Sequence, residues 1–76
     1  MTPAQCRAAR ALLDWSQEVL AGRSGVSINA IRNFERGATT PIRANLAALR
    51  HALDTAGVAF IDGDGGGPGV RLKAGE

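Results

Sequence analysis

The chain is short of the residues that most chemistry is built from. Cys6 is the one cysteine in 76 residues and His51 the one histidine. A single cysteine forms no internal disulfide, which fits a reducing compartment and predicts a cytoplasmic protein. One cysteine with one histidine falls short of the four ligands of a structural zinc site, so no metal and no cofactor is expected. The sequence holds no paired acids, no nucleophile–base set and no metal-ligand cluster from which to assemble an active site, and it is read as a non-enzyme. No apolar run reaches the ~18 residues of a membrane-spanning helix, and the first residues lack the charged-then-apolar pattern of a secretory leader. With 76 residues there is room for one thin core, marginal on its own, which dimerisation or close helix packing would support.

Charge is modest and uneven. The net charge is +2. Residues 1–57 carry seven arginines against Asp14, Glu18, Glu35 and Asp54, whereas residues 58–76 carry Arg71 and Lys73 against Asp62, Asp64 and Glu76. The basic part suits a polyanion, although an excess this small is ordinary for a small domain.

Helix signals fill the first 56 residues. Thr2-Pro3-Ala4-Gln5 reads as a capped start, with Thr2 and Gln5 in a capping box and Pro3 in the first turn. Ala8 and Leu12, and Ala9 and Leu13, then recur at helical spacing up to a stop near Asp14. Ser16 caps a second helix over about 17–24, with Trp15 and Leu20 at the positions of a hydrophobic staple. Ser27 caps a third over about 28–36, with Val26 and Ile31 as its staple and Gly37 as its stop. Thr40 or a neighbour is expected to cap a fourth helix, which carries Leu46, Leu49, Leu53 and Ala56 and ends at Gly57. Beyond it, Val58–Ile61 and the alternating Val70-Arg71-Leu72-Lys73 flank a Gly-rich stretch and predict two short strands. These pair within the chain or across a dimer; a flexible tail is the plainer alternative.

Residues 17–36 meet the demands of a helix-turn-helix together. Two short helices that cross steeply need a small residue at the contact, which Ala21 supplies. The turn needs a residue at ease with positive φ, which Gly25 supplies. Leu20, Val26, Ile31 and Phe34 are placed for the shared core. On the third helix this leaves Ile28, Asn29, Arg32, Asn33 and Arg36 on the other side. The exposed residues near the start of such a helix read base edges in a major groove. Asn pairs with adenine, Arg with guanine, and Ile28 suits a thymine methyl group. Ser16 and Gln17 sit at a helix N-terminus that favours a phosphate, and Ser27 holds the same position on the third helix. Arg36 and Arg43 are further candidates for phosphate contact. Trp15 is read as a staple or core residue, Cys6 as a spare helix residue and His51 as a surface residue. The Gly-rich stretch 63–69 precedes no helix, so it is not read as a phosphate cradle.

The stretch LDWSQEVLAGRSGVSINAIRNFERG at residues 13–37 resembles the lambda-repressor/Cro family, also called the XRE family, and the resemblance extends over roughly residues 5–57. It implies a compact helical domain that binds operator DNA, usually as a homodimer on inverted half-sites. In that family the positions of Ile28, Asn29, Arg32 and Asn33 commonly face DNA, and that of Gln17 contacts phosphate. The resemblance also implies that Glu35, an acid that would repel phosphate from a DNA-facing helix, pairs with Arg10 and ties the third helix to the first. Many members carry a fifth helix after the position of Gly57, where this chain has strand signals instead.

The expectation is therefore a mainly α, four-helix lambda-repressor-like domain with a short C-terminal strand or hairpin. Residues 1–57 form the DNA-binding domain, with its motif at about 17–36, and residues 58–76 an extension that is a possible dimerisation element. Val58, Phe60 and Ile61 are its candidate dimer seam, since an unpaired apolar strand edge invites a partner. The expected function is sequence-specific binding of double-stranded DNA to regulate transcription in a bacterial or phage setting. Two alternatives stand beside it. One is an antitoxin that binds a toxin and autoregulates; the other is a protein-interaction adaptor that no longer binds DNA.

Overall fold

The computed structural model describes residues 1–63 and 65–74. Asp64 and Glu76, counted above among the acids of the tail, lie outside the described residues. Four helices precede an antiparallel hairpin: α1 (Pro3–Leu13), α2 (Gln17–Ser24), α3 (Ile28–Glu35), α4 (Arg43–Thr55), β1 (Val58–Ile61) and β2 (Gly69–Leu72).

Local chemistry sets the first three helix starts. Thr2 Oγ1 accepts the amide of Gln5 at 3.0 Å while Gln5 Oε1 accepts the amide of Thr2 at 2.9 Å. Ser16 Oγ accepts from Val19 and Ser27 Oγ from Ala30. Each bond removes one of the free amides of a first helical turn. The turn between α2 and α3 passes through Gly25 at φ +76°, a conformation that favours glycine.

The fourth helix departs from expectation. It begins at Arg43 with Ile42 as its N-cap and no side-chain cap bond. Thr40-Pro41 repeats the cap-then-proline order of Thr2-Pro3, yet both residues lie in the loop ahead of the helix, and no local feature accounts for the later start. Of the two spacings read on α1, the Ala9/Leu13 pair faces the core, with Leu13 half-buried against it, and the Ala8/Leu12 pair does not. Gln5, Cys6 and Ala9 are buried, whereas Ala8 is exposed and Leu12 is 41% exposed.

The core is built from Cys6, Ala9, Leu20, Val26, Ile31, Phe34, Leu49, Ala52, Leu53 and Val58. Its tenth member belongs to the hairpin, so the extension is part of the packed domain. β1 and β2 pair within the chain, with Val58 opposite Leu72 and Ile61 opposite Gly69. The hairpin lies against α1 and α4. Gln5 Nε2 donates to the carbonyls of Ile61 and Gly69, at 3.1 and 3.0 Å, and so clamps both strands from α1. Lys73 Nζ meets the Asp54 carboxylate at 3.0 Å and its carbonyl at 2.8 Å, which pins β2 to the end of α4.

That packing corrects the dimer seam drawn from the sequence. Val58 fills the chain's own core, because the hairpin folds back onto the helices. Phe60 is half-buried with the Arg50 guanidinium 4.8 Å from its ring centre. Of the three candidates only Ile61 is exposed, at 42%.

Candidate nucleic-acid interface

α3 has two faces of different chemistry. Ile31, Phe34 and Glu35 are buried. Asn29, Arg32 and Arg36 are exposed, and Ile28 and Asn33 are half-buried at the margins. Among the described residues no side-chain hydrogen bond holds Asn29 or Arg32, so both polar groups are available to a ligand. Asn33 differs, because its Oδ1 accepts from Arg36 Nε and Nη2 at 3.2 and 2.9 Å. Full recognition of adenine by Asn33 needs that oxygen back. An exposed contact of this kind is worth little, so releasing it costs under about 1 kcal/mol.

Of the residues expected to contact phosphate, Gln17 and Arg36 line one cleft with Arg32. Ser16 and Ser27 are exposed, and each hydroxyl still has its hydrogen to donate while its oxygen caps a helix. The first turn of α2 also contains Glu18, whose charge opposes an anion there. Arg43 is exposed at the start of α4 beside Met1, Leu46 and Arg50. Gln17 has a role that local sequence does not signal. Its Nε2 donates to Glu35 Oε1 at 3.0 Å, leaving its own Oε1 and backbone amide for other partners.

Glu35 is the hub that holds α3 in place. Its carboxylate is only 3% exposed. Arg10 reaches it with two parallel bonds, Nε to Oε2 and Nη2 to Oε1, each 2.7 Å, and spends Nη1 on the Trp15 carbonyl. Gln17 adds a third bond and the Cys6 thiol a fourth, Sγ to Oε2 at 3.1 Å. Burial opposes the charged form, but the bonds from Arg10, Gln17 and Cys6 outweigh it, and the pKa of Glu35 lies below the ordinary value. Its bond to Glu35 holds the guanidinium of Arg10 still more firmly protonated than usual. Arg7 donates through Nη1 to the backbone carbonyl of Glu35, the last of α3.

Cys6 and Arg7 escaped the sequence reading, and one signal marked Cys6. Cys6 and Arg10 are four residues apart and share a helix face, so the partner of one is within reach of the other. Burial, the bond to Glu35 and the nearby carboxylate charge push the Cys6 thiol up to about 12. Only the thiolate alkylates at a useful rate. Iodoacetamide at pH 8 is therefore expected to modify Cys6 only through unfolding, with a rate that climbs with urea. A rapid rate insensitive to urea would contradict the burial.

A helix-turn-helix family model matches residues 7–58. No curated protein matches the sequence. Capped helices flank a glycine turn, α3 turns a polar face outward, and the family match spans more than half of the chain; the protein belongs to the Cro/C1-type helix-turn-helix (XRE) family, whose members are DNA-binding regulators.

Proposed function

We propose that the chain is a sequence-specific regulator of transcription that reads a major groove with α3. The observation that carries this reading is the outward face of α3, where Asn29 and Arg32 are exposed and unengaged among the described residues while the opposite face is locked into the core. Arg32 and Asn29 read base edges, Asn33 joins them once released from Arg36, and Ile28 meets a thymine methyl group. Ser16, Gln17, Ser27, Arg36 and Arg43 hold the backbone and set register without carrying sequence information. Binding blocks or recruits polymerase at a promoter.

One eight-residue recognition helix reads few base pairs, so we further propose a homodimer on inverted half-sites. Ile61, 42% exposed on the face of the hairpin opposite Val58, is the apolar group left for a second copy. Residues 1–57 carry the DNA-facing surface, and residues 58–76 carry the candidate seam.

The test is a fluorescence-anisotropy titration against the DNA upstream of the chain's own gene and against a scrambled duplex, at two salt concentrations. Tight binding to the native duplex, lost on scrambling and weakened by salt, is the expected result. Arg32→Ala and Asn29→Ala are each expected to reduce preference for the native duplex by about 1–3 kcal/mol, roughly 5- to 150-fold. Equal weak binding to both duplexes refutes specificity for that site. No binding at low salt moves the reading to an adaptor or to an antitoxin whose main partner is a protein.

A further inference from the structure

Arg7, Arg10, Gln17, Arg32, Glu35 and Arg36 line one shallow cleft between α1, the start of α2 and the end of α3. Four arginines thus face a single carboxylate, and that carboxylate is already occupied by Arg10, Gln17 and Cys6. The charges of Arg7, Arg32 and Arg36 are left without an acid to neutralise them in the cleft. Such a cleft is a seat for an anion.

Arg7 holds a particular place in it. It is exposed, and one of its five N–H donors satisfies the last carbonyl of α3. The C-terminal end of a helix carries partial negative charge and repels a phosphate. With Arg7 bonded there, a guanidinium covers that end, with further donors to offer. A guanidinium matches the geometry of two phosphate oxygens. Arg32 and Arg36 belong both to this cleft and to the outward face of α3, so an anion in the cleft is adjacent to whatever α3 reads.

We propose that the cleft seats a DNA backbone phosphate and that Arg7 contacts it, bridging α1 to the end of α3. The proposal rests on the DNA-binding reading above and adds a contact to it. Arg7 supplies affinity and no sequence preference, because a phosphate carries no sequence information.

The test measures binding to the native and scrambled duplexes across a salt series, for the intact chain and for Arg7→Gln and Arg7→Lys. Each phosphate contact contributes about 0.9 to the slope of log affinity against log salt. Arg7→Gln is expected to lower that slope by about 0.9 and to weaken both duplexes by the same factor, roughly eightfold at 0.1 M salt. Arg7→Lys is expected to keep the slope, because it keeps the charge. A full slope in a folded Arg7→Gln variant overturns the proposal and leaves the DNA-binding reading standing; an intact chain that binds neither duplex overturns both. Should Arg7→Gln fail to fold, the Arg7 Nε–H resonance of the intact chain decides. It is expected to shift on titration with duplex, and a resonance that stays still while the α3 amides move overturns the contact.

Discussion

Arg10→Met is expected to lower folding stability by about 3–5 kcal/mol, the cost of stranding one charge of a buried pair. At ~0.05–0.15 kcal/mol per residue, a chain of this size is stable by only about 4–11 kcal/mol, so the variant approaches the unfolding threshold. An exposed ion pair would give under about 1 kcal/mol. The larger figure applies because Glu35 is 3% exposed and Arg10 18%, and because the two bonds between them are short and parallel. Urea titration measures the loss. The double variant Arg10→Met/Glu35→Met is expected to recover most of it, since replacing both partners with apolar groups removes the uncompensated charge. A melting curve left unchanged by Arg10→Met would show that the pair contributes nothing.

Acid provides an independent check of the same pair. In the intact chain Glu35 has a folded pKa below its unfolded value of ~4.3. The unfolded state therefore binds protons more readily. The stabilisation is complete above that value and is lost as pH falls through the folded pKa. In Arg10→Met the stranded carboxyl is buried without its cation, which raises its pKa and makes protonation favour folding. The gap between the two proteins is expected to narrow as pH falls, first through the raised pKa of the stranded carboxyl and then from about 4 down through the folded pKa of the intact chain. A gap that stays constant across acid pH would place the effect of the substitution elsewhere.

What the sequence revealed and concealed follows from the range of each interaction. Caps act over three residues, so Thr2, Ser16 and Ser27 were legible from their neighbours alone. The glycine at the α2–α3 turn was legible because a positive φ leaves few residue choices. The start of α4 is not legible in this way, because Thr40-Pro41 offers the same cap chemistry as Thr2-Pro3 and yet the helix begins at Arg43. On α1 the period alone does not choose between the Ala8/Leu12 and Ala9/Leu13 faces, of which the second is the buried one. Alanines at positions 4, 8, 9 and 11 make more than one face plausible, and the true buried face includes a glutamine and a cysteine. Gln5 counts as polar in any pattern analysis. It is buried because its amide meets carbonyls 56 and 64 positions away, and no local window contains them. The bonds of Gln17 and Cys6 to Glu35 are concealed in the same way. At the candidate interface, the exposed face of α3 followed from helical period, whereas the cleft needed the packing of α1 against α3 and was not readable beforehand.

The hairpin supplies the other large expected effect. The family match ends at residue 58, and the helices before it would conventionally be taken as the whole DNA-binding unit. The structure makes the hairpin part of the core instead. Val58 is fully buried, Phe60 and Val70 pack against the core from its edge, and Gln5 has both hairpin carbonyls as acceptors. Val58→Asp is expected to cost the ~1.5–3 kcal/mol of the buried side chain and several more for a carboxylate without a partner. That total is comparable with the whole stability of a domain this small. The variant is expected to lose helical circular dichroism at 25 °C, and with it DNA binding, although no hairpin residue is among the proposed DNA contacts. Ile61→Ser distinguishes the two roles of the strand. Its side chain is 42% exposed, so the melting temperature is expected to stay within a few degrees while any dimer weakens in sedimentation velocity. A folded, DNA-binding Val58→Asp protein would show that the helices stand alone and that the hairpin is an appendage.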